Sequence, residues 1–457
     1  MIGSEPRDDY TQPADAVAEP PATFRQTLKY LGPSVIISAT VVGSGEIILT
    51  ASLGAAVGYS MLWWVLLSCW SKSILQAELA RYVVLSGDTY LRALNRAPGK
   101  LPGPRKPFSW PLALGIIAFI PGFTGLGGVI GGAGQAIVLL FPGVNPVLAV
   151  AGLAALTALL LGSGQYGRLE RVMLLLVVTF TLLTIVSALL MQTTEFATRL
   201  EDLSKGFSFD FSTEVAVLAL AAYGYTGVNS GEISSYSYWC VEKGYAARVG
   251  LYDGSEAWYR RAHGWLKVLR TDVWITLVLL TFATIPFYLL GAGVLNTTGQ
   301  LPSGNDTIVA LSNMFTQTLG EWSLWVFAVG AFCILFSSSV AGVAAGGRYI
   351  PDYLMELGFI KREQVNIRYA IIRWYGLLVP FIGLLLYAGF QRPVLMVTIA
   401  GSFAAIMLPV QCGMTLYLQH KRLPQQVRPG KLAAGLLRVT FLFQLSMAIA
   451  VVYFVVL

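Results

Sequence analysis

The sequence predicts an all-α membrane protein of about eleven transmembrane helices, arranged as two inverted five-helix repeats whose first members, helices one and six, are broken. Three observations carry that prediction. Of 457 residues, 55% are hydrophobic and only 12% charged, whereas soluble domains carry about 25% charged residues. Apolar runs long enough to cross a bilayer recur along the chain. The hexapeptide Val-Gly-Ser-Gly-Glu-Ile at 42–47 returns as Val-Asn-Ser-Gly-Glu-Ile at 228–233, each copy inside an apolar run.

Taken in order, residues 1–28 form a polar, acid- and proline-rich stretch with no basic region leading into an apolar run, so they read as a cytoplasmic disordered tail rather than a signal peptide. The first span is 31–58, interrupted at 43–46, and the second is 59–85. Glu78 and Arg81 near its end are three apart and read as a helix-end pair with snorkelling side chains. A basic loop, 92–106, leads into the third span at 110–141, whose glycines between 125 and 134 read as close helix packing. Spans four and five are 146–161 and 169–191. The sixth, 213–239, is interrupted at 227–232. Spans seven to eleven are 268–295, 322–346, 369–390, 394–418 and 432–457. Trp63, Trp64, Trp70 and Trp322 read as interfacial or packing residues. This divides the chain into a first repeat at 29–191, a second at 192–418, and a loop with an additional span at 419–457.

The net charge of +7 does not indicate nucleic acid, because Lys and Arg concentrate in alternate loops. That alternation gives a multi-pass plasma-membrane protein with a cytoplasmic N-terminus and an extracellular C-terminus, expected as a monomer in the lipid bilayer. Cys69, Cys240, Cys333 and Cys412 form no Cys-x-x-Cys pair and read as small apolar residues. The two histidines, His263 and His420, fall in loops, which leaves no imidazole for a metal or a proton relay inside the membrane. No nucleophile–base pair, phosphate loop or zinc spacing appears, so the chain is not an enzyme and needs no cofactor.

The twin motif carries the chemistry. A carboxylate at mid-bilayer costs roughly 2.5–3.5 kcal/mol or more, and here two of them follow Ser-Gly breaks. Glu46 and Glu232 stand 186 residues apart, which is five spans. An odd number inverts the second set, the plan of transporters whose site lies between two discontinuous helices. Broken helices leave carbonyls and N–H groups that must face protein, water or a ligand. Glu46, Glu232, Asn229, Ser44, Ser230 and Thr226, with the backbone of Gly43, Gly45 and Gly227, make an oxygen-only donor set. Such a set suits hard cations, and Glu46, Glu232, Asn229, Gly43 and Gly227 are the expected metal ligands. The rival is a structural ion pair with Lys72 or Arg373, which nothing in the sequence places nearby.

At these residues the chain resembles the Nramp family of divalent-metal transporters, and the resemblance extends over most of its length. The frame from Ser38 through Tyr59 matches without gaps, with Gly54, Gly58 and Tyr59 in register. Further matching pieces are Gln76 with Ala80-Arg81, Arg168-Leu169-Glu170, Ser337-Ser338 with Gly342, and Arg373 followed by Pro380. The resemblance implies a LeuT-type fold and alternating access. The departures fall on the site. The family's Asp-Pro-Gly-Asn reads Gly43-Ser44-Gly45-Glu46 here; its Met-Pro-His of the sixth span becomes about 227–230, without Met or His; and its third-span acids are replaced by Gly125-Leu126-Gly127-Gly128. A divergent branch similar in lacking the Met is associated with Mg²⁺.

The leading expectation is therefore a secondary transporter for Mg²⁺ or Mn²⁺, without the family's usual proton route. One alternative keeps the fold and carries an organic amine or amino acid, with Tyr223 and Tyr225 as a cation–π wall. Another is a non-transporting sensor on the same scaffold.

Overall fold

An apolar helix of 25 residues extends about 38 Å at 1.5 Å per residue, enough for a hydrocarbon core of about 30 Å. A computed structural model describes residues 10, 12–31, 33, 43, 45–163, 166–211 and 213–456, with the side chains of 14, 163–174, 176, 305 and 455–456 outside that description. Among the described residues, the apolar runs read as spans two to five and seven to eleven fall on helix. The second is Leu62–Ser86, the third Trp110–Leu140, the fourth Pro146–Ser163 and the fifth Tyr166–Leu190. The seventh is Glu256–Leu290, followed by Ser323–Glu356, Val365–Phe390, Pro393–Arg422 and Lys431–Val451. Six of these helices are long and apolar enough to cross a membrane by length and composition.

The breaks are where the small residues lie, and in both spans helix resumes before the end of the stretch read from sequence as the break. In the first span, Gly43 is a turn and helix resumes over Gly45–Thr50 and Ala51–Val57. Gly45 and Glu46 are therefore inside the second half-helix; 34–42 and Ser44 lie outside the described residues. The sixth span runs Ala216–Tyr225, stops for four residues, and resumes as Ser230–Glu242. Gly227 within that gap has φ +68°, a conformation open to glycine at little steric cost. Asn229 starts the second half because its Oδ1 accepts the Glu232 amide at 3.0 Å while Glu232 Oε2 accepts the Asn229 amide at 2.8 Å, a reciprocal cap.

Several elements went unread. A helix at Thr307–Leu319 lies between spans seven and eight and buries Ile308, Leu311, Met314 and Phe315; at 13 residues it is too short to span. The basic loop after span two contains a short helix, Tyr90–Asn95, and a two-residue hairpin pairing Lys100 with Ser109. His263 and His420, read as loop residues, sit instead on helical extensions of the seventh and tenth spans.

Close helix contacts order the core. The third-span glycines pack as expected: a Cβ at Gly131 would run into the Tyr387 ring, and one at Gly128 would lie 2.8 Å from Val397 Cγ2. Glu78 and Arg81 do not snorkel. They are 5% and 3% exposed, joined Arg81 Nε to Glu78 Oε2 at 2.8 Å, and Gln419 Nε2 donates to the same carboxylate oxygen at 2.8 Å. Trp64 is buried and donates to the Ala219 carbonyl at 2.7 Å, whereas Trp70 and Trp322 are exposed. Within the stretch read as a tail, Ala18 O accepts from Trp265 Nε1 at 2.9 Å and Tyr10 OH donates to Glu242 Oε1 at 3.2 Å.

Candidate functional site

The two breaks meet in the core. A Cβ on Gly45 would come within 2.9 Å of the Tyr225 carbonyl oxygen, so the start of the first span's second half-helix approaches the end of Ala216–Tyr225 as only glycine permits. Glu46 spans that contact. It is 0% exposed, and its Oε1 accepts from the Gly227 amide at 3.0 Å and from Thr284 Oγ1 at 3.3 Å. Its Oε2 accepts from the Gly43 amide at 3.3 Å. The carboxylate thus satisfies N–H groups freed by both breaks, at the start of a half-helix where a negative charge is favoured. Thr50 Oγ1 and Thr226 Oγ1 add a second link at 2.8 Å.

Glu232 has a different setting. It is half-buried and faces a cavity of about 250 Å³, and it is the one charged residue among the described lining residues. The walls bring in Phe119 and Phe123 from the third span, Tyr225 and Asn229 from the sixth, Tyr349 and Tyr353 from the eighth, and Gln411 from the tenth. Hydroxyls are plentiful: Ser230, Ser234, Ser235, Ser338 and Ser339 all line it. Tyr349 OH donates to the Gly231 carbonyl at 2.8 Å and meets Ser235 Oγ at 2.5 Å. Gln411 Nε2 donates to Tyr90 OH, the Ser230 carbonyl and Ser234 Oγ, while its Oε1 has no partner.

Of the residues the sequence singled out, Asn229, Ser230, Glu232 and Tyr225 border this cavity. Glu46, Gly43, Gly45, Thr226, Gly227 and Tyr223 lie behind it in the contact between breaks. The Gly43 carbonyl accepts the Ile47 amide at 3.0 Å, and Tyr223 packs its ring on Trp64 and Phe443 rather than forming a cavity wall. Lys72, named only as a candidate ion-pair partner, reaches the sixth-span break and donates to the Tyr223 carbonyl at 2.6 Å and to the Thr226 carbonyl. Arg373 is exposed on the ninth span. Thr284 and Gln411 were missed. A polar residue in an apolar run was their only signal.

A family model, Natural resistance-associated macrophage protein-like (Nramp), matches residues 34–454. The chain belongs to the Nramp family. As a member it is a multi-pass membrane transporter rather than an enzyme, and the divalent metal that such transporters carry is substrate, not cofactor. No curated protein matches the sequence. Among solved structures, two mutants of the Eremococcus coleocola manganese transporter are 15% identical, with TM-scores of 0.67 and 0.68; each alignment covers 96% of this chain and 88% of that one. Mhp1, a nucleobase-cation-symport-1 family transporter crystallised closed with bromovinylhydantoin, is 14% identical with a TM-score of 0.56, over 93% and 90% of the two chains. These Nramp and Mhp1 neighbours share the LeuT-type fold of this mostly helical chain.

Proposed function

We propose that this Nramp protein carries Mg²⁺ or Mn²⁺ inward with most of its water shell retained, held in the cavity at Glu232 rather than between the two glutamates. The observation that supports this is the setting of Glu232, one carboxylate in an otherwise uncharged chamber rich in hydroxyls. Six waters at roughly 30 Å³ each occupy about 180 Å³, which a cavity of about 250 Å³ accommodates. Mg²⁺ dehydrates reluctantly and keeps several waters when bound. Those waters would donate to Glu232 and to the unpartnered Gln411 Oε1. Direct coordination by the Tyr223 and Thr226 carbonyls is disfavoured, because Lys72 already occupies both.

The third span, 110–141, contains no Asp, Glu or His, which supports transport without the family's usual proton route. The membrane potential alone supplies about 4.6 kcal/mol per 100 mV for a divalent cation. The manganese transported by the Eremococcus coleocola structural neighbour is consistent with this class of cargo.

A second reading, an organic ammonium, has its own support in the aromatic walls of Phe119, Phe123, Tyr225, Tyr349 and Tyr353 around one carboxylate. Uptake into proteoliposomes separates the two. Saturable Mg²⁺ or Mn²⁺ uptake that methylated amines do not displace is expected; displacement by amines with no metal flux would favour the second reading.

A further inference from the structure

Lys72 is the one fully enclosed ammonium among the described residues, at 0% exposure, and no carboxylate lies within 4.0 Å of it there. Its Nζ donates to the carbonyls of Tyr223 and Thr226, two of those at the end of the first half of the broken sixth span, and stands 5.3 Å from the centre of the Tyr223 ring. Ser68 Oγ, one turn earlier on the same helix, is 3.1 Å from both carbonyl oxygens. Neither Glu46 nor Glu232 is within ion-pair distance of this ammonium. Two carbonyls, a hydroxyl and an aromatic face, closed to solvent, form the ligand set of a monovalent cation. Unwound carbonyls and half-helix C-terminal ends hold coupling ions in transporters of this plan. The ordinary alternative is a helix cap, a basic side chain on the last carbonyls of a half-helix.

We propose that the Tyr223–Thr226 carbonyl pair is a monovalent-cation site permanently filled by the chain's own Lys72, so that transport needs no free Na⁺ or K⁺. The proposal rests on family membership as a transporter, not on which cargo is carried. Removing the side chain but leaving the cage makes the site available to a free cation. A cap without a cation function gives only a loss of stability that no salt repairs.

The test measures the unfolding midpoint of the purified full chain in NaCl, KCl, methylammonium chloride and choline chloride at equal ionic strength. The parent and Lys72→Arg are expected to unfold alike in all four. Lys72→Ala is expected to be least stable in choline and to recover saturably with Na⁺, K⁺ or methylammonium, as mass action requires for a ligand bound only by the folded state. If Lys72→Ala cannot be isolated in choline, its recovery from membranes in NaCl or methylammonium chloride is the same result. Equal midpoints in all salts, or recovery in none, overturn the proposal. Lys72→Met fills the space without charge and is expected to be destabilised and salt-insensitive; stability equal to the parent's also overturns it. These readouts need no flux, so a wrong cargo assignment leaves them intact.

Discussion

Glu46 Oε1 accepts the backbone N–H of Gly227 at 3.0 Å, joining the start of one broken helix to the gap of the other. The carboxylate also takes the Gly43 amide and the Thr284 hydroxyl, so three donors converge on two oxygens. Glutamine keeps the shape but presents an NH₂ to one of those donors. Glu46→Gln is expected to lower folding stability by about 1–3 kcal/mol, the cost of stranding a buried polar group. Denaturant unfolding of the purified chain measures it, and an unchanged transition would remove the structural role assigned to Glu46.

Glu232→Gln should behave oppositely. Its Oε2 accepts only the Asn229 amide, and a capping box works with Gln as well as Glu. The variant is expected to unfold like the parent while binding its cation about 10- to 100-fold more weakly, since hydrogen bonds to charged groups contribute about 1.5–3 kcal/mol. Titration of Mn²⁺ onto the parent and the variant reads this directly.

Close packing sets a third expectation. A Cβ on Gly224 would run into the Gly401 carbonyl oxygen, which is backbone and cannot swing aside, whereas nothing lies within 4 Å of a Cβ on Gly342. Gly224→Ala should cost about 1–3 kcal/mol or more by overpacking, and Gly342→Ala should be tolerated. The comparison is read from the yield of monodisperse protein and the unfolding midpoint.

The buried pair Glu78–Arg81 is expected to act as a unit. Glu78→Leu leaves an enclosed guanidinium unpaired, with a loss of about 3–5 kcal/mol, while Glu78→Leu with Arg81→Leu should recover most of it. A double-mutant cycle on stability reads the coupling, and additive losses would argue against it.

Much of the fold was legible because spans are long apolar runs and the repeated Ser-Gly-Glu marks equivalent points of two halves. The site was only partly legible. Spacing placed Glu46 and Glu232 at corresponding positions but could not reveal that one carboxylate turns into the inter-helix contact and the other into a cavity, since that depends on which N–H groups each break leaves free. Lys72 was visible as a charge in an apolar run, yet its target is a pair of carbonyls, and backbone acceptors leave no trace in a sequence. Gln411 and Tyr349 come from spans far along the chain and meet the sixth only after packing. The Thr307–Leu319 helix escaped because 13 residues with a polar face resemble a loop when spans are counted.

The most direct test of the central claim is Mn²⁺ or Mg²⁺ uptake into proteoliposomes under an inside-negative potential, comparing the parent with Glu232→Gln reconstituted at equal density. Saturable uptake by the parent and its loss in a fully folded Glu232→Gln is the expected result. Equal uptake by the two proteins would contradict the assignment of the cation to the Glu232 cavity.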